Sequence, residues 1–172
     1  WMATVGGPLL ASPALDAERG RVYVGSEDMH VYAFDWNEGR LLWKSAKLPG
    51  VSFRGYYPVV APDGSVLVTT APAICLDSFE PILMDMVKEI FGDFASWRHK
   101  KDENDRLRTA NFKKMAEPGV YESQLDYIRK RLTAEPVYQT FFVLDLETGR
   151  QKFVTPIVYA ESMNGTGAPA IV

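Results

Sequence analysis

The chain has 172 residues, of which 47% are hydrophobic, 24% charged and 12% aromatic, a make-up that supplies a sizeable core and argues against disorder. A formal charge of -3 and a pI near 5.4 give no general electrostatic pull toward nucleic acid, and no stretch approaches the roughly 20 apolar residues that span a bilayer. Cys75 is the only cysteine, so no disulfide can close within the chain, and no set of Cys and His stands at zinc-ligand spacing.

In chain order, residues 1–5 read as a strand belonging to a preceding unit, and both ends of the sequence read as truncations. Four short strands follow at residues 11–15, 21–25, 30–35 and 40–45, separated by a polar turn ending in Gly20 and by the Asn37-Glu38-Gly39 turn. A second set begins at residues 57–61, passes the Pro62-Asp63-Gly64 turn to residues 65–70, and resumes at 140–145, the Glu147-Thr148-Gly149 turn and 150–155. Between its second and third strands, residues 73–138 carry a different, helical pattern. Asp77 and Ser78 can cap a first helix with Pro81 in its opening turn. A second helix is expected over residues 103–115, and a third where Tyr121, Leu125, Ile128 and Leu132 recur at helical spacing. Residues 168–172 read as the first strand of a further unit. The organisation is therefore strand units at 1–72, a helical insertion at 73–138, and strands at 139–172 that complete the second unit and start the next.

The units repeat one another. Residues 33–43 align without a gap with 143–153, sharing Asp35 with Asp145, Gly39 with Gly149, Arg40 with Arg150 and a closing aromatic, Trp43 with Phe153. A proline anchor recurs at Pro13, Pro58 and Pro169, the first two 45 residues apart and the next interval 66 residues longer. A period near 45 fits a four-stranded propeller blade, and the excess is the insertion. Glycine at 39 and 149 suits a tight turn at positive φ, and the aspartate four residues earlier can accept hydrogen bonds from turn amides.

Through Ala33, Asp35, Gly39 and Trp43, and through Asp145, Thr148 and Gly149, the chain resembles the tryptophan-docking repeat of the pyrroloquinoline-quinone-like propellers. Arg40 and Arg150 stand where that pattern has lysine, Glu38 where it has threonine, Val143 where it has alanine, and Phe153 where it has tryptophan. The resemblance implies an all-β fold: a β-propeller segment of four-stranded antiparallel blades, about two blades with flanking strands, interrupted by an α-helical insertion. It gives Ala33, Asp35, Gly39, Trp43, Asp145, Thr148, Gly149 and Phe153 a structural, blade-locking role, with the remaining blades of the parent chain as partners. It also implies a place in the bacterial cell envelope, periplasmic or extracellular.

Antiparallel blades put every long connection at one end, and binding residues favour long loops on a rigid scaffold. That end offers Asp28, His30, Arg54, Tyr56, Tyr57, Glu161 and Asn164 as a candidate binding face for a protein partner or small ligand. The basic clusters 98–101, 113–114 and 129–131 are interleaved with acidic residues and read as solvated helix faces. No catalytic, cofactor-binding or metal-binding set is recognisable: there is no G-x-S-x-G elbow, phosphate loop or H-E-x-x-H. The expected function is a noncatalytic binding or interaction scaffold without cofactor. The alternative is a quinoprotein alcohol or sugar dehydrogenase using pyrroloquinoline quinone and calcium. Against it, Cys75 is solitary where such enzymes often have a vicinal pair.

Overall fold

The computed structural model describes residues 1–73, 85 and 117–157. They form mostly β-structure: two four-stranded antiparallel sheets and one helix. The first sheet is a meander of β1 (Ala14–Asp16), β2 (Arg21–Ser26), β3 (His30–Asp35) and β4 (Leu41–Lys44). The second repeats it with β5 (Val59–Ala61), β6 (Ser65–Thr69), β7 (Phe141–Asp145) and β8 (Gln151–Phe153). Both inner strands start immediately after an anchor proline, Pro13 or Pro58, which cannot donate to a ladder.

Register repeats as well as strand order. Tyr23 pairs with Ala33 and Ala33 with Trp43; in the second sheet Leu67 pairs with Val143 and Val143 with Phe153. The register of the outer strand shifts at the same place in each sheet, between Ala33 and Phe34 and between Val143 and Leu144. The turn just beyond sets that geometry. Asp35 Oδ1 accepts the amides of Asn37 and Glu38 at 2.9 and 2.8 Å, and the Gly39 amide donates to the Asp35 carbonyl at 2.9 Å, with Gly39 at φ +68°. Asp145 Oδ1 likewise accepts the amides of Glu147 and Thr148, at 3.2 and 2.9 Å, and the Thr148 hydroxyl at 2.8 Å, with Gly149 at φ +67°.

The sheets stack face to face. One core cluster draws Tyr23, Val31, Ala33 and Trp43 from the first sheet and Val66, Val68, Phe142 and Leu144 from the second, with Leu146 among them. The opposite face of the first sheet gathers Val24, Tyr32 and Phe34 with Val5 packed against them.

Residues 1–5 form no strand, contrary to their reading as one from a preceding unit. A strand needs a ladder partner for its amides and carbonyls, and none of the described strands pairs with these residues. β3 spans the expected residues and β2 runs one residue further than expected, whereas the remaining strands are shorter than their patterns suggest; residues 57–58, for example, stay outside β5. β6 and β7 are direct neighbours although a long connection separates them, and the helix α1 (Val120–Ala134) lies in that connection. Leu132 is buried and Leu125 and Ile128 are partly so, but Tyr121 is 61% exposed and Gln124 takes the inner side instead. Arg129 pairs with Asp126, and Arg131 with Glu135 at 3.2 Å, so both arginines of this basic cluster are matched by nearby carboxylates. The two earlier helices and the strand expected at 168–172 lie outside the described residues.

Candidate functional site

Among the described residues, the joint between the sheets gathers the most side chains into one contact. Trp43 leaves β4 and lies on Gly149, where a Cβ would meet indole carbons at less than 3.0 Å. Only glycine leaves room there, and only glycine adopts the required positive φ without strain. The indole N–H donates to the carbonyl of Leu146 at 2.9 Å, the same carbonyl that accepts Arg21 Nη1 at 3.1 Å. Arg21 Nη2 goes on to Glu147 at 2.6 Å, and the Tyr23 ring leans on Trp43 with centroids 5.7 Å apart. Trp43 is 8% exposed.

Trp1 makes the same contact one unit earlier. Its indole covers Gly39 and donates to the carbonyl of Trp36 at 2.5 Å, Trp36 and Leu146 each being the residue after the turn aspartate. A second fastening recurs at the other end of each sheet. The hydroxyl at the end of the second strand, Ser26 or Thr70, donates to the carbonyl six residues after the docking tryptophan, Gly7 at 3.1 Å or Pro49 at 2.9 Å.

At that same end the structure brings Asp28 and His30 together. Asp28 Oδ2 accepts the Tyr32 hydroxyl at 2.5 Å and Lys44 Nζ at 3.2 Å, and the Tyr32 oxygen accepts the Gly6 amide at 3.1 Å. Lys44 also lies over the Tyr32 ring, 5.0 Å from its centroid. Burial opposes ionisation of Asp28, but hydrogen bonds from Tyr32, Ser26 and Lys44 outweigh it and hold its pKa below the ordinary aspartate value. His30 points Nδ1 at the Ser45 carbonyl, 2.8 Å away, and meets the Tyr32 ring edge-on. A carbonyl only accepts, so Nδ1 carries the proton in this contact. The network holds residues 6–8 onto the sheet through Asp28 Oδ2, Tyr32 and Ser26, and leaves the buried Asp28 Oδ1 without a hydrogen-bond partner.

The other proposed binding residues are distributed differently. Arg54 and Tyr57 are exposed on the connection from β4 to β5, whereas Tyr56 is buried with its amide donating to Phe53. Glu161 and Asn164 lie outside the described residues. Of the repeat residues, Ala33 is fully buried at the joint, Thr148 helps hold Asp145 in its turn, and Phe153 is 56% exposed. The hydrogen bond from the Thr148 hydroxyl, against a desolvation cost and with the amides of Thr148 and Glu147, holds the Asp145 pKa below its ordinary value.

Sequence reasoning missed Trp1 as a docking residue, Arg21 as the companion of Trp43 in the joint, the paired hydroxyls, and the structural tie made by Glu27. Glu27 accepts the Phe53 amide at 2.8 Å and donates its own amide to Pro8 at 3.0 Å, tying two connections together. Aligning Ser26 with Thr70, 44 residues apart, was the signal available for the hydroxyls.

Among the described residues no group of three or more His, Cys, Asp or Glu is placed to hold a metal ion, and no helix is long and apolar enough to cross a membrane. Comparison with models of known protein families and with curated proteins gives no match for the chain.

Proposed function

We propose that the chain is part of a propeller of the pyrroloquinoline-quinone-like type that works as a noncatalytic scaffold in the bacterial cell envelope. Its partner docks on the end where the long connections gather. The observation that carries this reading is the recurrence of one joint: tryptophan on turn glycine, indole N–H to the carbonyl after the turn aspartate, at Trp1 on Gly39 and Trp43 on Gly149. A joint that recurs between successive units is what stacked repeat architectures require.

At the loop end, Asp28 and His30 serve the internal clamp, so partner contact falls to the exposed Arg54 and Tyr57. A scaffold of this kind retains no quinone. The test incubates the protein with pyrroloquinoline quinone and calcium, removes free cofactor, and records the absorption spectrum and dye-coupled oxidation of alcohols and sugars. No retained quinone, together with a cell-envelope partner whose capture fails for the Arg54→Ala/Tyr57→Ala variant, is the expected result. Retained quinone with turnover would replace the scaffold by a dehydrogenase.

A further inference from the structure

The turn between β2 and β3 holds two connections side by side at one end of the sheets. The Glu27 amide donates to the Pro8 carbonyl at 3.0 Å, and Glu27 Oε1 accepts the Phe53 amide at 2.8 Å. The Met29 carbonyl accepts the Leu48 amide at 2.8 Å. Met29 does so at φ +63°, the one left-handed non-glycine backbone among the described residues, a conformation that persists only where its surroundings over-determine it. Close fits add to the hold: a Cβ on Gly7 would meet the Asp28 nitrogen at 2.7 Å, and one on Gly50 would meet Thr70 Oγ1 at 2.6 Å.

Each residue bonded to this turn has an exposed neighbour: Leu9 after Pro8, Arg54 after Phe53, and Lys47 before Leu48. Leu10, Val51 and Tyr57, a few residues along the same connections, are exposed as well. The charges at this end are unbalanced. Asp28 is paired with Lys44 and Glu27 faces the Phe53 amide, whereas Lys47 and Arg54 form no ion pair among the described residues. A chain of net charge -3 thus presents two free cations here, beside leucine, valine and tyrosine side chains. The sheets meet each other through their faces, so this end stays clear of the joint between units.

We infer that this end binds an acidic, apolar peptide segment of a protein partner, with carboxylates received by Arg54 and Lys47 and apolar side chains lying on Leu9, Leu10, Val51 and Tyr57. This rests on the scaffold reading above and adds the chemistry of the partner. A guanidinium matches a carboxylate with two parallel N–H donors, and arginine and tyrosine are common anchors of protein interfaces. Two cations fall short of the clusters of about four to eight that attract anionic bilayers.

The probe is an array of short randomised peptides with blocked ends, incubated with the full chain. Retained peptides should be enriched in Asp or Glu flanked by Leu, Ile or Phe. In fluorescence anisotropy the tightest of them should lose about tenfold in affinity with Arg54→Ala, the loss of one charge-assisted contact. Leu9→Ser with Val51→Ser should weaken the same peptides, and Lys47→Glu with Arg54→Glu should turn the retained set from acidic to basic. Circular dichroism verifies the fold of each variant. No retained peptide, no acidic enrichment, or a set unchanged by the charge reversal overturns the inference. Cosedimentation with phosphatidylglycerol vesicles in place of peptide binding would give the surface to a membrane, and self-association abolished by the reversal would give it to a second copy; either overturns it too. Should the peptides fail while the chain still retains no quinone, the noncatalytic scaffold stands and only the partner's chemistry is lost.

Discussion

Replacing Gly149 by alanine tests the joint directly. The new Cβ would fall within 3.0 Å of the Trp43 indole, and φ of +67° costs an L-residue about 1–2 kcal/mol by itself. Gly64 is the internal control: it sits in a turn at φ +76° with nothing within 4 Å of its would-be Cβ, so Gly64→Ala carries the backbone cost alone. Displacing Trp43 forfeits part of the ~3–5 kcal/mol lost when a buried tryptophan is truncated. Gly149→Ala should therefore cost about 3–5 kcal/mol in all, against about 1–2 for Gly64→Ala. Gly39→Ala should fall between them, since Trp1 is 63% exposed and has less burial to lose. Urea unfolding followed by circular dichroism measures all three. In a Trp43→Ala background the cost of Gly149→Ala should drop to that of Gly64→Ala, a coupling that a double-mutant cycle reads out. Equal costs at Gly149 and Gly64, or additivity with Trp43→Ala, would refute the docking account.

The remaining contacts give smaller effects. Tyr32→Phe removes the donor to Asp28 and the acceptor of the Gly6 amide, and should cost about 1–3 kcal/mol in the same unfolding assay. Because the folded-state pKa of Asp28 is depressed, its contribution is complete above the ordinary aspartate value of about 3.9 and is lost as pH falls through the lower folded value. An acid titration should accordingly show Tyr32→Phe losing structure at higher pH than the parent. Thr70→Val and Ser26→Ala each delete one hydroxyl-to-carbonyl fastening and should cost about 1 kcal/mol, with no effect on the coupling between Trp43 and Gly149. Glu27→Ala strands the Phe53 amide, and faster amide hydrogen exchange at Phe53 should accompany a loss of about 1–3 kcal/mol.

What could be read from the sequence was whatever the chain settles locally. An aspartate that accepts amides two and three residues on, followed by glycine at positive φ, is a turn written in five residues, and it marked both Asp35 and Asp145 correctly. Alternating apolar residues then placed the flanking strands, and the proline anchors placed the inner ones. Trp1 was read only as part of a strand because its actual contact, with Gly39, is 38 positions away and depends on the sheet being folded. The hydroxyls of Ser26 and Thr70 escaped for the same reason: a strand-ending Ser or Thr is unremarkable until its acceptor on the neighbouring connection is known. On α1, helical periodicity counted Tyr121 into the apolar stripe, but the surface it would face is met by Gln124 and Leu132. The candidate binding face was legible only as a set of loops. That Asp28 would be consumed by Tyr32 and Lys44 follows from side chains on β3 and β4, adjacent strands whose register no local rule supplies.

The joint also fixes a direction. The first sheet lays Trp43 from its outer strand on the Gly149 turn of the second and receives Trp1 on its own Asp35-Gly39 turn, so the two surfaces differ and the contact cannot be two-fold symmetric. Contacts of this kind propagate head to tail, closing into a ring or running on according to the rotation between units. Their strength need not be uniform. Between the two sheets Trp43 and Arg21 both donate to Leu146, whereas the edge that carries Phe153 retains the ring and loses the donors. That same outer strand is joined to the long connection through Gln151, whose amide donates to Gln139 at 3.0 Å while Gln139 in turn donates to the Leu132 carbonyl at the end of α1. The strand that carries the exposed Phe153 is thus also the one that α1 reaches, through two hydrogen bonds.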